Sequence, residues 1–223
     1  MFKAIIIGGT GATGKQLLNR LISNQNCDLV TSIGRRPALD GEKNDKLVDV
    51  VVESLSNLSS TEKYWQDNDV FFNCIGTTRQ RAGGAKEFIN IESGISNEAA
   101  KMAANANIPH ASLISAKGAN HKIWAKNWIH PLLYMKTIGQ KEQTVISNFF
   151  FNKVSIFKPG MLIRLQSKQT WLEYFFESKG LGLRVDTLAS AMIHDAERVK
   201  FGLVEKSPQF FIGNNYIKSS LEL

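Results

Sequence analysis

The chain has 223 residues, of which 43% are hydrophobic and 21% are charged, the composition of a globular protein with a packed core. No apolar run approaches the ~20 residues that a membrane-spanning helix needs, and the N-terminus does not read as a secretory signal, so we predict a cytoplasmic protein with no membrane span. The net charge of +7 is scattered along the chain, which favours a solvated surface and a few cations beside an anionic ligand over a nucleic-acid surface. Two cysteines, Cys27 and Cys74, are too few for a disulfide framework or a metal cluster.

Short apolar runs alternate with longer helical patterns, which is typical of a parallel sheet with helices on both faces. Strands are predicted at 3–7, 28–33, 46–52, 69–75, 111–115 and 154–157, with an edge strand near 210–212. Helices are predicted at 12–22, 85–106 and 131–147, with two shorter ones in the last third. Right-handed crossovers then produce a doubly wound, mostly parallel α/β sheet in the order 3-2-1-4-5-6, the Rossmann fold. We predict a single domain over residues 1–223, with a small variable C-terminal part on the substrate side from about residue 160.

A glycine-rich loop joins the first strand to the first helix. It reads Gly8-Gly9-Thr10-Gly11-Ala12-Thr13-Gly14. In such loops the first glycine permits a tight turn, the second lets the backbone approach a pyrophosphate, and the third lets the helix pack on the strand. The N-terminus of the helix adds unpaired N–H groups and a positive dipole end. Because the loop lies between an apolar strand and an amphipathic helix, it predicts binding of a dinucleotide.

The end of the second strand indicates which dinucleotide is bound. NAD-binding domains usually place an acid here for the adenine ribose hydroxyls, but this strand is followed by Arg35 and Arg36. A guanidinium group matches the 2′-phosphate of NADP in shape and charge. The sequence therefore favours NADP(H) over NAD. In the next crossover Asp49 or Glu53 is expected near the adenine, and no spacing rule chooses between them.

Five motifs in the same order resemble the Tat-interacting-protein oxidoreductases, a branch of the atypical short-chain dehydrogenase/reductases. Besides the glycine loop they are Ile33-Gly34-Arg35-Arg36, residues 73–79 (Asn-Cys-Ile-Gly-Thr-Thr-Arg), Ser115-Ala116-Lys117-Gly118-Ala119 and Lys158-Pro159-Gly160. The resemblance extends to about residue 200. It implies binding of NADPH and hydride transfer to a carbonyl group.

The resemblance also implies a catalytic Tyr-x-x-x-Lys pair on the helix after the fifth strand, with a serine at the end of that strand. Tyr134 matches the proton donor, and Ser115 matches the serine that orients the carbonyl. The lysine is missing, because the position four residues after Tyr134 is Ile138. Three lysines are candidates to replace it: Lys117, Lys136 and Lys141.

The predicted cofactor site combines the glycine loop, the arginine pair and the loops that follow later strands. It consists of Gly8, Thr10, Gly11, Ala12, Thr13, Gly14, Arg35, Arg36, Ile75, Gly76, Thr77, Pro159, Leu162 and Arg164. Two functions are consistent with this set and with the missing lysine. One is an NADP(H)-dependent reductase of an unidentified small-molecule carbonyl substrate, with weakened activity. The other is a catalytically weak NADP(H)-binding regulator that presents a surface to protein partners.

Two further features stay outside this scheme. Trp124 and Trp128 lie at helical spacing and alternate with Lys122 and Lys126, in an insert interpreted as a lid or as local packing, with a partner-binding helix as the alternative. Three histidines have no acids or cysteines at ligand spacing, so no metal site is predicted at His121, His130 or His194.

Overall fold

The protein is described by a computed structural model that covers residues 1–126, 130–165, 181–203 and 206–222. Its strands are β1 (Phe2–Ile7), β2 (Cys27–Gly34), β3 (Leu47–Val51), β4 (Val70–Asn73), β5 (His110–Ile114), β6 (Lys153–Lys158), β7 (Leu162–Ile163), β8 (Leu183–Arg184) and β9 (Gln209–Ile212). Its helices are α1 (Ala12–Ser23), α2 (Arg79–Ala82), α3 (Ala85–Ile89), α4 (Ser96–Asn105), α5 (His130–Asn148), α6 (Val185–Lys200) and α7 (Asn214–Ser219). In these ranges no helix is both long and apolar enough to cross a membrane.

Seven of the described strands form one parallel sheet in the order β3-β2-β1-β4-β5-β6-β9. The predicted doubly wound order is thus confirmed, and the predicted edge strand is β9, which extends it beside β6. The order reverses between β1 and β4, so the carboxyl ends of these two strands meet at the switch point where open α/β sheets bind ligands.

Two apolar cores cover the two faces of the sheet because side chains alternate along each strand. On β1, Ala4 and Ile6 face the core shared with α1 and α6, whereas Ile5 and Ile7 face the core shared with α4. All four side chains are fully buried, which explains the nearly continuous apolar run of this strand. Packing on both faces therefore fixes the position of β1, and with it the start of the glycine loop that follows.

The helix predicted over residues 85–106 is interrupted in its middle. Between α3 and α4 the segment Asn90–Ile95 is a π-helical turn. Such turns insert an extra residue into a helix and occur often at functional sites. Here the turn buries Glu92, whose side chain reaches the cleft described below. The strand predicted over 69–75 is also shorter than expected and ends at Asn73.

Candidate functional site

A cleft opens at the carboxyl ends of β1, β4 and β5. It is lined by Gly11, Ala12, Thr13, Cys74, Ile75, Gly76, Thr77, Thr78, Arg81, Glu92, Ile114, Ser115, Tyr134, Ile138, Lys141, Leu162, Arg164 and Val185. The topological switch point and the start of α1 both belong to this cleft, so it is where the fold is expected to bind a ligand.

The glycine loop has the geometry of a phosphate cradle. Gly8 has φ +85°, a conformation that side chains disfavour, and a Cβ there would lie 2.7 Å from the backbone carbonyl of Cys74. A Cβ on Gly14 would overlap the carbonyl oxygen of Gly8 and lie 2.8 Å from its carbon. The N-cap residue of α1 is Gly11, which has no side chain to accept from the first N–H groups of the helix, and Gly11, Ala12 and Thr13 line the cleft. These features fit a dinucleotide pyrophosphate.

We expect a Gly14→Ala substitution to disrupt this loop, because the new methyl group meets backbone atoms that have little freedom to move. Nicotinamide fluorescence should show loss of cofactor binding, and thermal unfolding should show a lower midpoint. Gly84→Ala, outside the cleft lining, is the matched control, since its Cβ would meet only the flexible side-chain end of Glu87. Equal cofactor affinity in the two variants would contradict the close packing at Gly14.

The loop after β2 places its two arginines at the solvent edge of the site. Arg35 and Arg36 are both exposed, and Arg36 Nη2 lies 3.5 Å from Thr10 Oγ1, which ties the arginine to the glycine loop. Asp49, expected near the adenine, instead accepts a hydrogen bond from the backbone N–H of Ala38 at 2.9 Å. It therefore shapes the loop that carries the arginines.

Beside these arginines, Asp40 forms an ion pair with Lys15 at 2.8 Å. The hydrogen bond from Lys15 lowers the pKa of the Asp40 carboxyl, and the charges of Lys15 and Arg36 add to the effect. Glu53, the other acid expected near the adenine, is exposed and lies outside the cleft lining.

Tyr134 enters the cleft from the first turns of α5. Its ring stacks on Phe88 at a centroid distance of 5.8 Å. Burial raises the pKa of the Tyr134 hydroxyl to about 12, with a further increase from the charge of Glu92 and a decrease from Arg164. At neutral pH the phenol is therefore protonated and acts as a hydrogen-bond donor. One turn further along, Ile138 is 3% exposed and lines the same wall where the family pattern has its lysine.

Of the three candidate lysines, Lys141 is the one that lines the cleft. Its ammonium group is buried, donates to the carbonyl oxygen of Ile75 at 2.9 Å and pairs with Glu92 at 3.4 Å. The two candidates that compete with it lie elsewhere: Lys117 is exposed, Lys136 is half-buried, and neither lines the cleft. Lys141 Nζ has three N–H groups, and one of them has no acceptor among the described residues.

Glu92 completes this arrangement from the π-helical turn. One carboxylate oxygen accepts the backbone N–H of Thr77, and the other pairs with Lys141. Glu92 thus joins the loop after β4 to helix α5. Glu92 was not predicted from the sequence, since a single glutamate inside a predicted helix has no pattern that distinguishes it from a surface acid.

Ser115 lies at the end of β5 and belongs to a buried chain of polar side chains. Its hydroxyl donates to Glu142, whose two carboxylate oxygens lie 2.7 and 2.8 Å from Lys158 Nζ. Lys158 also donates to the carbonyl oxygen of Ala119 at 3.0 Å. The side chains of Ser115, Glu142 and Lys158 are each more than nine-tenths buried. Glu142 was missed from the sequence, although it lies two helical turns beyond Tyr134 on the same helix.

The structure brings most of the predicted site residues together. The residues of the predicted cofactor and catalytic sets that line the cleft are Gly11, Ala12, Thr13, Ile75, Gly76, Thr77, Leu162, Arg164, Ser115 and Tyr134. Gly8 and Gly14 form the base of the loop, and Thr10 contacts Arg36. Pro159 is buried outside the lining, and its carbonyl oxygen accepts the N–H of Lys117.

The insert before α5 is described only in part. The side chain of Trp124 is 65% exposed, and Lys126 Nζ lies 5.6 Å from the ring centroid. The expectation of local packing is therefore wrong for this indole, because most of its surface is in contact with solvent. Trp128 lies outside the described residues, and a lid stays a prediction.

A second buried cluster contains serine, histidine and aspartate without the geometry of a nucleophile. His110 Nε2 lies 3.0 Å from Ser155 Oγ and 3.4 Å from Asp195. A catalytic triad needs the two partners on different ring nitrogens, so that one orients the imidazole while the other exchanges a proton. His110 also begins β5, at the end of the sheet away from the cleft.

Comparison with protein families matches residues 8–164 to the family described as NAD(P)H-binding. Protein HTATIP2 of Rattus norvegicus is 30% identical over 200 residues, which covers 85% of this chain and 79% of that protein. Protein FMP52, mitochondrial, of Meyerozyma guilliermondii is 31% identical over 162 residues, covering 72% of this chain and 65% of that protein. This chain thus spans just under two thirds of the length of that yeast relative.

Two solved structures show the same fold. Gre2 from Candida albicans, in complex with NADPH, superposes with a TM-score of 0.71 at 16% identity, covering 96% of this chain and 78% of that chain. The oxidoreductase ylbE from Lactococcus lactis superposes with a TM-score of 0.66 at 15% identity, covering 99% and 95%.

Fold and cleft together define a Rossmann protein that binds a nicotinamide dinucleotide, NAD(P)H. The chain belongs to the NAD(P)H-binding family, and its relatives place it with the atypical short-chain dehydrogenase/reductases. The prediction of a cytoplasmic location is wrong, because several yeast relatives are named as mitochondrial proteins. That prediction came from the reading of the N-terminal residues, and such a reading does not distinguish the cytosol from an organelle.

Proposed function

We propose that this protein is an NADP(H)-dependent oxidoreductase that reduces a carbonyl group, with Tyr134 as the proton donor. The observation that carries the proposal is the meeting of a phosphate cradle, a protonated tyrosine and a buried lysine in one cleft. NADPH, when bound, supplies a hydride. Residues from about 160 onward contribute Leu162 and Arg164 to the cleft wall, which supports their assignment to the substrate side.

Different residues of the cleft would bind the cofactor and transfer the proton. Gly11, Ala12 and Thr13 would hold the pyrophosphate through the N-terminus of α1. The free N–H of Lys141 would hold a ribose hydroxyl, the task that the family pattern assigns to position 138. Tyr134 would donate its proton to the oxygen of the reduced carbonyl, since its raised pKa keeps it in the acid form.

The choice of NADP(H) over NAD rests on Arg35 and Arg36. Each guanidinium group is exposed at the edge of the site and can form charge-assisted hydrogen bonds with a 2′-phosphate. We expect Arg35→Ala and Arg36→Ala each to weaken NADPH binding by about 10- to 100-fold, with NADH binding unchanged. Titration of nicotinamide fluorescence with both cofactors measures this. Lys43→Ala, an exposed cation in the following loop, is the control.

The same titration of the wild-type protein tests the proposal itself. Tight binding of NADPH with weak binding of NADH is the expected result. Equal affinity for both cofactors would remove the assignment to NADP(H), and absence of binding would overturn the proposed function. Turnover is then measured as oxidation of NADPH with a panel of small aldehydes and ketones.

A regulatory role is the second candidate, and the pairing of Lys141 with Glu92 favours it. A cation that is neutralised by a buried carboxylate lowers the pKa of a neighbouring phenol less than a free one would. Such a protein would bind NADPH tightly and present different surfaces to protein partners with the reduced and oxidised cofactors. Tight binding without turnover of any panel member would favour this function. Ile138→Lys discriminates further, because a poised enzyme should gain turnover.

A further inference from the structure

The cleft contains a serine, Ser115, whose hydroxyl proton is already donated in a hydrogen bond within the protein. Ser115 donates to Glu142, and Lys158 contacts both oxygens of that carboxylate in the arrangement of an ion pair. An ionised carboxylate only accepts hydrogen bonds, and a hydroxyl group has a single proton. The Ser115 hydroxyl can therefore offer only its lone pairs, and not its proton, to a ligand in the cleft that Ser115 lines.

This polarity is opposite to the one expected for a serine that orients a carbonyl. A carbonyl oxygen has lone pairs only, so it gains no hydrogen bond from an oxygen that acts as an acceptor. The group that binds next to Ser115 must carry an N–H or O–H. Tyr134 has the complementary polarity, since it lines the same cleft as a donor at neutral pH.

We propose that the substrate of this cleft is a carbonyl compound with a hydroxyl group on the neighbouring carbon, such as an α-hydroxy ketone. Its carbonyl oxygen accepts from Tyr134, and its hydroxyl donates to Ser115 Oγ. Glu142 and Lys158 do not touch the substrate and are positioning residues that set the direction of the Ser115 proton. This inference rests on the proposed function and adds the substrate class to it.

Burial of the three hydrogen-bonded side chains keeps the Ser115 proton in its hydrogen bond to Glu142. Ser115, Glu142 and Lys158 are 8%, 7% and 7% exposed, so water has little access to compete for these hydrogen bonds. All three N–H groups of Lys158 have acceptors, two on Glu142 and one on Ala119. Reversing the serine would remove one of the two donors of Glu142 Oε1 and leave Lys158 as the other, which carries a free-energy cost.

A matched pair of ligands tests the proposal without catalysis. Hydroxyacetone and butan-2-one have similar size and the same carbonyl, but only the first carries a neighbouring hydroxyl. We measure binding of each by saturation-transfer NMR to the protein loaded with NADP⁺, which cannot reduce them. Wild-type protein should bind hydroxyacetone about tenfold more tightly, the effect of one hydrogen bond to an oriented acceptor. The preference should disappear in Ser115→Ala.

The decisive variant is Glu142→Gln. A glutamine amide can donate to Ser115 Oγ, which frees the serine proton to point into the cleft, so the preference should shrink or reverse toward butan-2-one. Because Glu142→Gln leaves Lys158 buried without its charge partner, the double variant Glu142→Gln/Lys158→Met is measured beside it. Glu87→Gln, the same change at an exposed position on α3, is the control.

Infrared difference spectra of wild type and Glu142→Gln provide an independent readout. The variant should lose the band of an ionised carboxylate. Loss of a carboxylic acid band would overturn the proposal, because Glu142 would then be the donor. Equal binding of the two ligands by the wild type, or binding of neither, would also overturn it. Retained NADP⁺ binding in the same samples would leave the proposed cofactor function intact.

Discussion

A Lys141→Met variant should lose about 3–5 kcal/mol of unfolding free energy, the cost of leaving a buried charge without its partner. Lys141 and Glu92 are 1% and 2% exposed in their side chains, so water has little access to either charge in the folded protein. Methionine keeps most of the volume and removes only the ammonium group. Urea denaturation monitored by tryptophan fluorescence measures the difference.

Further variants separate the stability of the protein from its function. Glu92→Gln/Lys141→Met removes both charges and should recover most of the stability, while NADPH affinity stays below that of the wild type. Adding Ile138→Lys to this double variant should restore affinity, because position 138 lines the same wall. Lys136→Met is the control, since Lys136 is half-buried and does not line the cleft. Wild-type stability in Lys141→Met would show that the buried ion pair does not form.

Tyr134→Phe should lower the rate of carbonyl reduction by about 10²- to 10⁴-fold, the usual contribution of a positioned general acid. Phenylalanine keeps the ring that stacks on Phe88, so the change removes the hydroxyl and little else. NADPH affinity should stay within about twofold to threefold of that of the wild type, because the Tyr134 hydroxyl is not part of the glycine loop that binds the phosphates. Oxidation of NADPH in the presence of hydroxyacetone is followed by absorbance, and Tyr216→Phe is the control.

The pH dependence of this reaction follows from the same tyrosine. Reduction needs the protonated phenol, and burial raises the pKa of Tyr134 to about 12. The tyrosine should therefore remain an effective acid up to about pH 10, and the rate should fall as the pH rises through its pKa. A fall centred near neutral pH in the wild type would assign the proton donor to another group.

The elements that the sequence predicted well are those encoded by local patterns. The glycine loop and the apolar β1 are contiguous in the chain, and together with the alternation of strands and helices they were sufficient for the sheet order. Tyr134 and Ser115 were found through their motifs, and both line the cleft. The loop with Arg35 and Arg36 follows β2 as the strand order predicts, and their contact with the 2′-phosphate stays a prediction.

The replacement of the missing lysine could not be decided from the chain alone. Lys136, Lys141 and Lys117 are all near Tyr134 or Ser115 in sequence, and only packing distinguishes them. A π-helical turn, which no pattern in residues 85–106 predicts, places Glu92 against α5 and provides the buried carboxylate that Lys141 needs. This ion pair joins residues 49 positions apart, so no local sequence pattern predicts it.

The sequence by itself determined the fold, the dinucleotide loop and the family, because short-range periodicity and contiguous motifs encode all three. The tertiary structure alone decided how the site is charged and which way its protons point. Glu142 meets Lys158 from a different element, and the hydroxyl of Ser115 donates its proton to this carboxylate. Such polarity depends on which buried donors and acceptors remain unpaired once helices and strands have packed, and packing brings together residues that are distant in the chain.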